Sequence, residues 1–130
     1  MTRDIPTVAE ELISKYGYTD NVDVFEICRR EDIELLPFTD DRTKKIAVLL
    51  GMRLNMDVSD GFAFQVRGKQ CIFYDDRRSA ERQRSTVAHE LGHIVLGHTW
   101  GFKSGVDCSR CEEMQADSFA FRLLYPERMR

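Results

Sequence analysis

The segment STVAHELGHIVLGH, residues 85–98, constrains the fold more than any other part of the chain. It holds all three histidines, and His89 and His93 stand four positions apart with Glu90 beside the first. On an α-helix this offset leaves only about 40° between two side chains, so both imidazoles can converge on one metal ion. The apolar residues of the segment form a single helical stripe: Val87, Leu91, Ile94 and Val95. We therefore expect a helix that packs this stripe on a core and turns His89 and His93 towards a cleft.

Capping and turn signals divide the N-terminal half into short elements. Thr7 and Glu10 form a capping-box signature for a first helix that ends near Gly17, and DVFEICRRE predicts a second. Arg67, Gly68 and Lys69 are suited to closing a hairpin onto QCIFY. Four apolar or alternating runs predict a small, mostly antiparallel sheet of three or four strands: IELLPF, KIAVLLGMRLNM, GFAFQV and KQCIFY.

Two further helices are predicted after the sheet. Ser79 is the expected N-cap of the helix that carries the histidines, and the last helix covers about SRCEEMQADSFAFRLLY, before Pro126. No helix is expected to cross between successive strands. The order of helices, sheet and helices therefore predicts an α+β fold, with residues 1–130 forming one domain.

Charge and composition narrow the possible partners and location. The net charge of -3 and pI near 5.6 argue against direct nucleic-acid binding. The N-terminus lacks a signal-peptide core, and the longest apolar run, IAVLLGM, is too short to span a bilayer. We expect a cytoplasmic protein without membrane attachment, in which the four cysteines are reduced thiols.

The third histidine, His98, is not expected to bind the same ion as His89 and His93. On a continuous helix it points about 140° from His93 and about 180° from His89, in line with the apolar stripe. A capping or core-edge role is expected instead. A catalytic zinc site has three protein ligands and an open position for water, so the third ligand must come from another segment.

The segment CEEMQADSFAFRLLYP offers that ligand. Glu113 follows His93 by twenty residues and Asp117 lies one helical turn further on, which resembles the glutamate-type zincins. In that arrangement the glutamate binds zinc, and the aspartate accepts the free ring N–H of the first histidine, here His89. Glu112 competes with Glu113, but on a helix it lies about 140° from Asp117.

Taken together, these segments resemble the ImmA/IrrE family of small bacterial metallopeptidases, which is widespread on prophages and mobile elements. The resemblance covers nearly the whole chain, with Tyr125 where the family usually has methionine and no helix-turn-helix module evident. It is most specific in EEMQADSFAFRLLYP, which is similar to the family block E-x-x-A-[ND]-x-F-A-x-x-L-L-x-P. The matching residues are Glu113, Ala116, Asp117, Phe119, Ala120, Leu123, Leu124 and Pro126.

The resemblance implies a minimal zincin-like domain that cleaves a helix-turn-helix transcriptional repressor and so derepresses a mobile element or stress operon. In our hypothesis His89, His93 and Glu113 hold Zn²⁺, and Asp117 orients His89. Glu90 is the catalytic base, which takes a proton from water and passes it to the leaving amine.

Two further parts of the mechanism concern the oxyanion and the binding of the substrate. Tyr74 is a candidate donor to the oxyanion, and QCIFY is a candidate strand for pairing with an extended substrate.

Other functions stay open at this point. A metal-stabilised module could sequester a repressor or antitoxin-like partner without cutting it, although an intact Glu90 argues against this. A deformylase-like hydrolase would need Cys71 as a ligand and would leave the ExxxD spacing unexplained.

The remaining motifs are weaker. Cys108 and Cys111 form half of a structural zinc motif without a second pair, so ordinary thiols are expected. The basic run DDRRSAERQR is expected to be a solvated helix face.

Overall fold

A computed structural model of the protein describes residues 4–52, 59–98 and 110–128. These residues form five α-helices, three strands and one short 3-10 helix, which confirms the α+β fold. In chain order they are α1 (Ile5–Lys15), α2 (Val24–Arg30), β1 (Glu34–Pro37), α3 (Asp41–Leu49), β2 (Gly61–Val66), β3 (Lys69–Tyr74), α4 (Ala80–Val95), α5 (Arg110–Leu124) and the 3-10 helix Pro126–Arg128.

The N-terminal helices are both capped by aspartates. Asp4 accepts from the backbone N–H of Thr7 at 3.3 Å, so α1 begins earlier than the predicted cap at Thr7. Asp23 caps α2 in the same way, accepting from the backbone N–H of Glu26 at 3.1 Å. The first backbone N–H groups of a helix have no acceptor within the helix, and in each case the aspartate side chain accepts from one of them.

The sheet has the strand order β1-β3-β2, with β3 in the centre. The predicted hairpin is confirmed: β2 and β3 pair antiparallel, and the connecting residues Arg67 and Gly68 both have positive φ, 50° and 81°. This is the geometry of the tight turns that match strand twist. β1 pairs parallel to β3, and not antiparallel as the sequence indicated, because α3 and β2 both intervene before the chain returns as β3.

The prediction of a strand over KIAVLLGMRLNM is wrong for the part that the structure describes. Residues up to Leu49 belong to α3, whose N-cap Asp40 accepts from the backbone N–H of Arg42 at 2.8 Å. Thr43 and Ala47, four residues apart, face the core, whereas Val48 and Leu49 are 77% and 85% exposed. The apolar run therefore wraps around a helix, and residues 53–56 lie outside the described part of the chain.

The two faces of the sheet bury two separate apolar clusters. On one face Ala63 and Ile72 join residues of α1, α2, α4 and α5, including Val87 and Leu91 of the predicted stripe. On the other face a smaller cluster packs beside Ile46 of α3. It consists of Leu36, Phe38, Phe62, Cys71 and Phe73. The larger cluster fixes α4 and α5 against the sheet, and these helices carry the site described below. None of the described helices has the length and apolarity needed to cross a membrane.

Candidate metal centre and active site

Helix α4 carries both histidines of the HExxH segment. Ser79 caps it as predicted, with its side chain accepting from the backbone N–H of Arg82 at 3.2 Å. In the apolar stripe Val87 and Leu91 are fully buried and Ile94 and Val95 are partly buried against the core, so the opposite side faces a cleft. There the Nε2 atoms of His89 and His93 are 3.1 Å apart. Two imidazole nitrogens of adjacent helical turns thus converge on one point.

Helix α5 brings a carboxylate to the same point. Glu113 Oε1 is 2.8 Å from Nε2 of His89 and 3.3 Å from Nε2 of His93. His89, His93 and Glu113 form a group whose ligand atoms all lie within 4.8 Å of one another. Glu112, the alternative ligand considered from the sequence, does not belong to this group.

Asp117 lies one turn after Glu113 and contacts the outer nitrogen of the first histidine. Its Oδ1 atom is 2.7 Å from Nδ1 of His89. A carboxylate only accepts, so the ring must donate from Nδ1, which leaves the lone pair of Nε2 directed at the ligand group. Asp117 therefore selects the tautomer that a metal ligand requires.

His98 contacts His93 and does not point away from it, because α4 ends at Val95. The backbone N–H of Gly97 donates to Ile94 O at 3.2 Å and that of His98 to His93 O at 3.1 Å, with Gly97 at φ 70°. This Schellman ending folds the chain back. His98 Nδ1 then lies 2.7 Å from Nδ1 of His93. The predicted orientation of His98 relative to His93 is wrong, since it assumed a helix continuing to residue 98.

A cleft of about 510 Å³ opens beside the ligand group. Its walls come from α4, α5 and the start of β2, and Glu90 lies in the wall with only 4% of its surface exposed. The residues lining it are Ser59, Asp60, Gly61, Arg82, Ser85, Thr86, His89, Glu90 and Glu113. A buried carboxylate next to a group of potential metal ligands is the placement that a general base requires.

The family model of peptidase M78, described as the IrrE N-terminal-like domain, matches residues 43–129, more than half of the chain. The chain belongs to this family. The match extends from α3 through α5 and includes the whole ligand group and Glu90. It confirms the resemblance to the ImmA/IrrE family and a metallopeptidase-type domain. No curated protein and no solved structure matches the chain.

The donor set of this M78 domain suits a divalent metal. In a tetrahedral site with bonds of about 2.0–2.1 Å, neighbouring ligand atoms are about 3.3–3.4 Å apart, close to the separations of 2.8 to 3.3 Å here. Glu113 Oε2 is buried, lies 3.3 Å from Nε2 of His93, and accepts no hydrogen bond among the described residues. Two imidazole lone pairs and a carboxylate repel one another at these distances, and a cation removes the repulsion.

Burial also favours the neutral form of the second histidine. The pKa of His93 is lowered, first because the ring is desolvated and second because His89 lies beside it. A metal-binding imidazole must be unprotonated at the coordinating nitrogen, so this shift favours metal binding.

The structure of the M78 domain argues against three other hypotheses that were drawn from the sequence. Tyr74 lines a second cavity on another part of the surface and packs edge-on against Phe25, so it is not a donor at this cleft. QCIFY cannot take up a substrate strand, because β3 is paired on both sides. Cys71 is buried in the smaller cluster and does not join the ligand group.

The structure also describes the basic run DDRRSAERQR and one cysteine of the Cys108 and Cys111 pair. Arg77 and Arg78 pair with Asp75 at 3.1 Å, and Arg82 pairs with Asp60, so these charges are largely matched within the domain. Cys111 is an exposed free thiol, and Cys108 lies outside the described residues.

The sequence did not indicate Gln115 as part of the site. Gln115 Oε1 is 2.8 Å from Nε2 of His98, so it connects that histidine to α5. The sequence did offer a signal for the position of His98, which Gln115 contacts. A glycine just after the end of a helix, here Gly97, is typical of a Schellman ending, which folds the next residue back towards the helix.

Proposed function

We propose that this M78 domain is a zinc-dependent endopeptidase. The observation that carries the proposal is the convergence of His89 Nε2, His93 Nε2 and Glu113 Oε1 beside a cleft that the buried Glu90 lines. Two histidines and one glutamate are the ligands of glutamate-type zinc peptidases, and their nitrogen and oxygen donors favour zinc among the common divalent ions.

In this proposal His89, His93 and Glu113 hold the ion, and Asp117 holds the ring of His89 in the tautomer that directs Nε2 at the ion. When bound, zinc lowers the pKa of water to about 7 and polarises a carbonyl oxygen. The Glu90 carboxylate takes a proton from the attacking water and delivers it to the nitrogen of the leaving amine. Burial of Glu90 keeps bulk water from competing for that proton.

We further propose that the substrate is a helix-turn-helix repressor and that cleavage derepresses a mobile element or stress operon. The support is the family to which the chain belongs and the cleft of about 510 Å³, lined mostly by polar residues, beside the ligand group. Among the residues that the structure describes, Cys28, Cys71 and Cys111 are free thiols, which supports a reducing compartment such as the cytoplasm.

The test is co-expression with a helix-turn-helix repressor encoded beside the gene, followed by intact-mass analysis and zinc quantification. We expect Glu90→Gln to keep zinc and lose about 10²–10⁴-fold in cleavage rate, and Glu113→Ala to lose zinc. Glu81→Gln, an exposed change on the same helix, and Glu112→Ala, one residue from the ligand, are the matched controls and should cleave normally.

The possible outcomes separate the competing functions. Undiminished cleavage by Glu90→Gln would refute the catalytic assignment. A zinc-bound wild-type protein that captures the intact repressor without cutting it would instead identify a binding module.

A further inference from the structure

His93 and His98 form a buried pair of imidazoles behind the ligand group. Both side chains are excluded from solvent, with His93 fully buried and His98 5% exposed. Their Nδ1 atoms are 2.7 Å apart, and His98 Nε2 is 2.8 Å from Gln115 Oε1. A buried hydrogen bond between two rings requires that one nitrogen donates and the other accepts.

The surroundings determine the direction of these hydrogen bonds. His93 Nε2 faces His89 and Glu113, so when that nitrogen offers its lone pair to a metal, Nδ1 carries the proton. His93 Nδ1–H then donates to His98 Nδ1, and His98 Nε2–H donates to the amide oxygen of Gln115. The Gln115 amide nitrogen donates in turn to Cys111 Sγ at 3.6 Å. Each donor in the series thus meets an acceptor.

The backbone holds His98 in this position. Its N–H donates to the carbonyl of His93, the same residue that its side chain contacts, through the ending of α4 at Gly97. Gln115 lies two residues after Glu113 on α5. The series of hydrogen bonds therefore runs from one metal-ligand residue, through the end of α4, to the helix that carries another.

We propose that His98 is a positioning residue that aims Nε2 of His93 at the ligand group, with Gln115 holding His98 in the required tautomer. It serves His93 as Asp117 serves His89, but as a neutral and buried acceptor, whereas the Asp117 side chain is 73% exposed. The inference rests on the proposed function in one respect, that His93 binds a metal. It does not depend on the substrate or on cleavage.

The experiment measures zinc affinity by chelator competition, together with the absorption spectrum of the cobalt(II)-substituted protein and the unfolding of the metal-free protein. His98→Phe keeps a ring but removes the acceptor, and we expect about 10–100-fold weaker zinc binding. His98→Gln restores an acceptor for His93 and a donor for Gln115, so most of the affinity should return. Gln115→Leu should weaken binding less than His98→Phe.

Val87→Ala is the matched control, since it removes buried volume from the same helix on the side away from the metal. It should lower stability without changing zinc affinity or the cobalt spectrum. Equal zinc affinity in wild type and His98→Phe would overturn the inference and leave the proposed function intact. A cobalt spectrum that loses a ligand in both His98→Phe and His98→Gln would identify His98 as a direct ligand and also overturn it. Wild-type protein that binds no zinc would refute both proposals.

Discussion

Gly92, the residue before His93, is predicted to control how closely α4 approaches α5. A Cβ atom at this position would lie 3.0 Å from Cδ1 of Phe119 and 3.3 Å from both Cα and O of Ala116. All three atoms belong to α5, and two of them are backbone atoms that move only with the helix. Phe119 is completely buried, so its ring has little space to turn away. We therefore expect Gly92→Ala to push the two helices apart by a few tenths of an ångström.

The effects on stability largely offset one another, but those on metal binding do not. Alanine gains about 1 kcal/mol of helix propensity over glycine, whereas overpacking a filled core costs about 1–3 kcal/mol. The metal-free protein should thus lose about 0–2 kcal/mol of unfolding free energy. His89 and His93 lie on one helix and Glu113 on the other, and metal–ligand distances tolerate only about 0.2 Å. We expect zinc affinity to fall about tenfold or more, as when an outer-shell partner is lost.

Chelator competition and urea unfolding of the metal-free protein measure the two quantities separately. Gly17→Ala is a suitable control: Gly17 has φ 75° and no atom within 4 Å of the position that an added methyl group would take, so alanine adds backbone strain far from the site. It should lower stability by about 1 kcal/mol at unchanged zinc affinity. A Gly92→Ala protein that is more stable than wild type and binds zinc equally well would refute the reasoning.

Two further predictions concern Asp117 and Cys28. Asp117→Ala should weaken zinc binding about 10–100-fold while barely changing the stability of the metal-free protein, because the Asp117 side chain is mostly exposed; a large loss of stability in chelator-treated protein would contradict this. Burial raises the pKa of Cys28 from 9.0 to about 12, so the neutral thiol contributes stability that is complete below pH 9 and is lost as the pH rises towards 12. The difference in unfolding free energy between wild type and Cys28→Val should therefore shift by about 2 kcal/mol against wild type from pH 8 to pH 10.5, and a difference independent of pH would argue against the shift.

Patterns that repeat along a helix were sufficient to predict α4 and α5. Ser79, the apolar stripe and the spacing of His89 and His93 all agree on one helix, and the structure has that helix with that cap. We could expect Glu113 to lie close to the two histidines because its spacing from His93 and Asp117 resembles that of the glutamate-type zincins. In those proteins the glutamate at this spacing binds the same zinc ion as the histidines. Hydrophobic periodicity alone would not have favoured Glu113 over Glu112, whereas the spacing to Asp117 did, since Glu112 lies about 140° from Asp117 on a helix.

The features that the sequence did not predict depend on where elements end and what they pack against. The apolar run from Ile46 to Leu50 is typical of a strand, but Asp40 starts a helix and only one side of it is buried. His98 was placed on a helix that in fact ends at Val95. Both errors arise because helix ends are set by local hydrogen bonds that hydrophobic periodicity does not record.

The parallel pairing of β1 with β3 bears on how much of the chain a stable M78 domain needs. The family match begins at residue 43, after β1, α1 and α2. A fragment starting there would leave one side of β3 as an open strand edge, from Cys71 to Tyr74, and would uncover the apolar side of α5 against which α1 packs. An open apolar edge is a template for aggregation. Residues 4–42 thus act as an intramolecular cover for the half of the molecule that carries the ligand group, and we expect their removal to promote self-association.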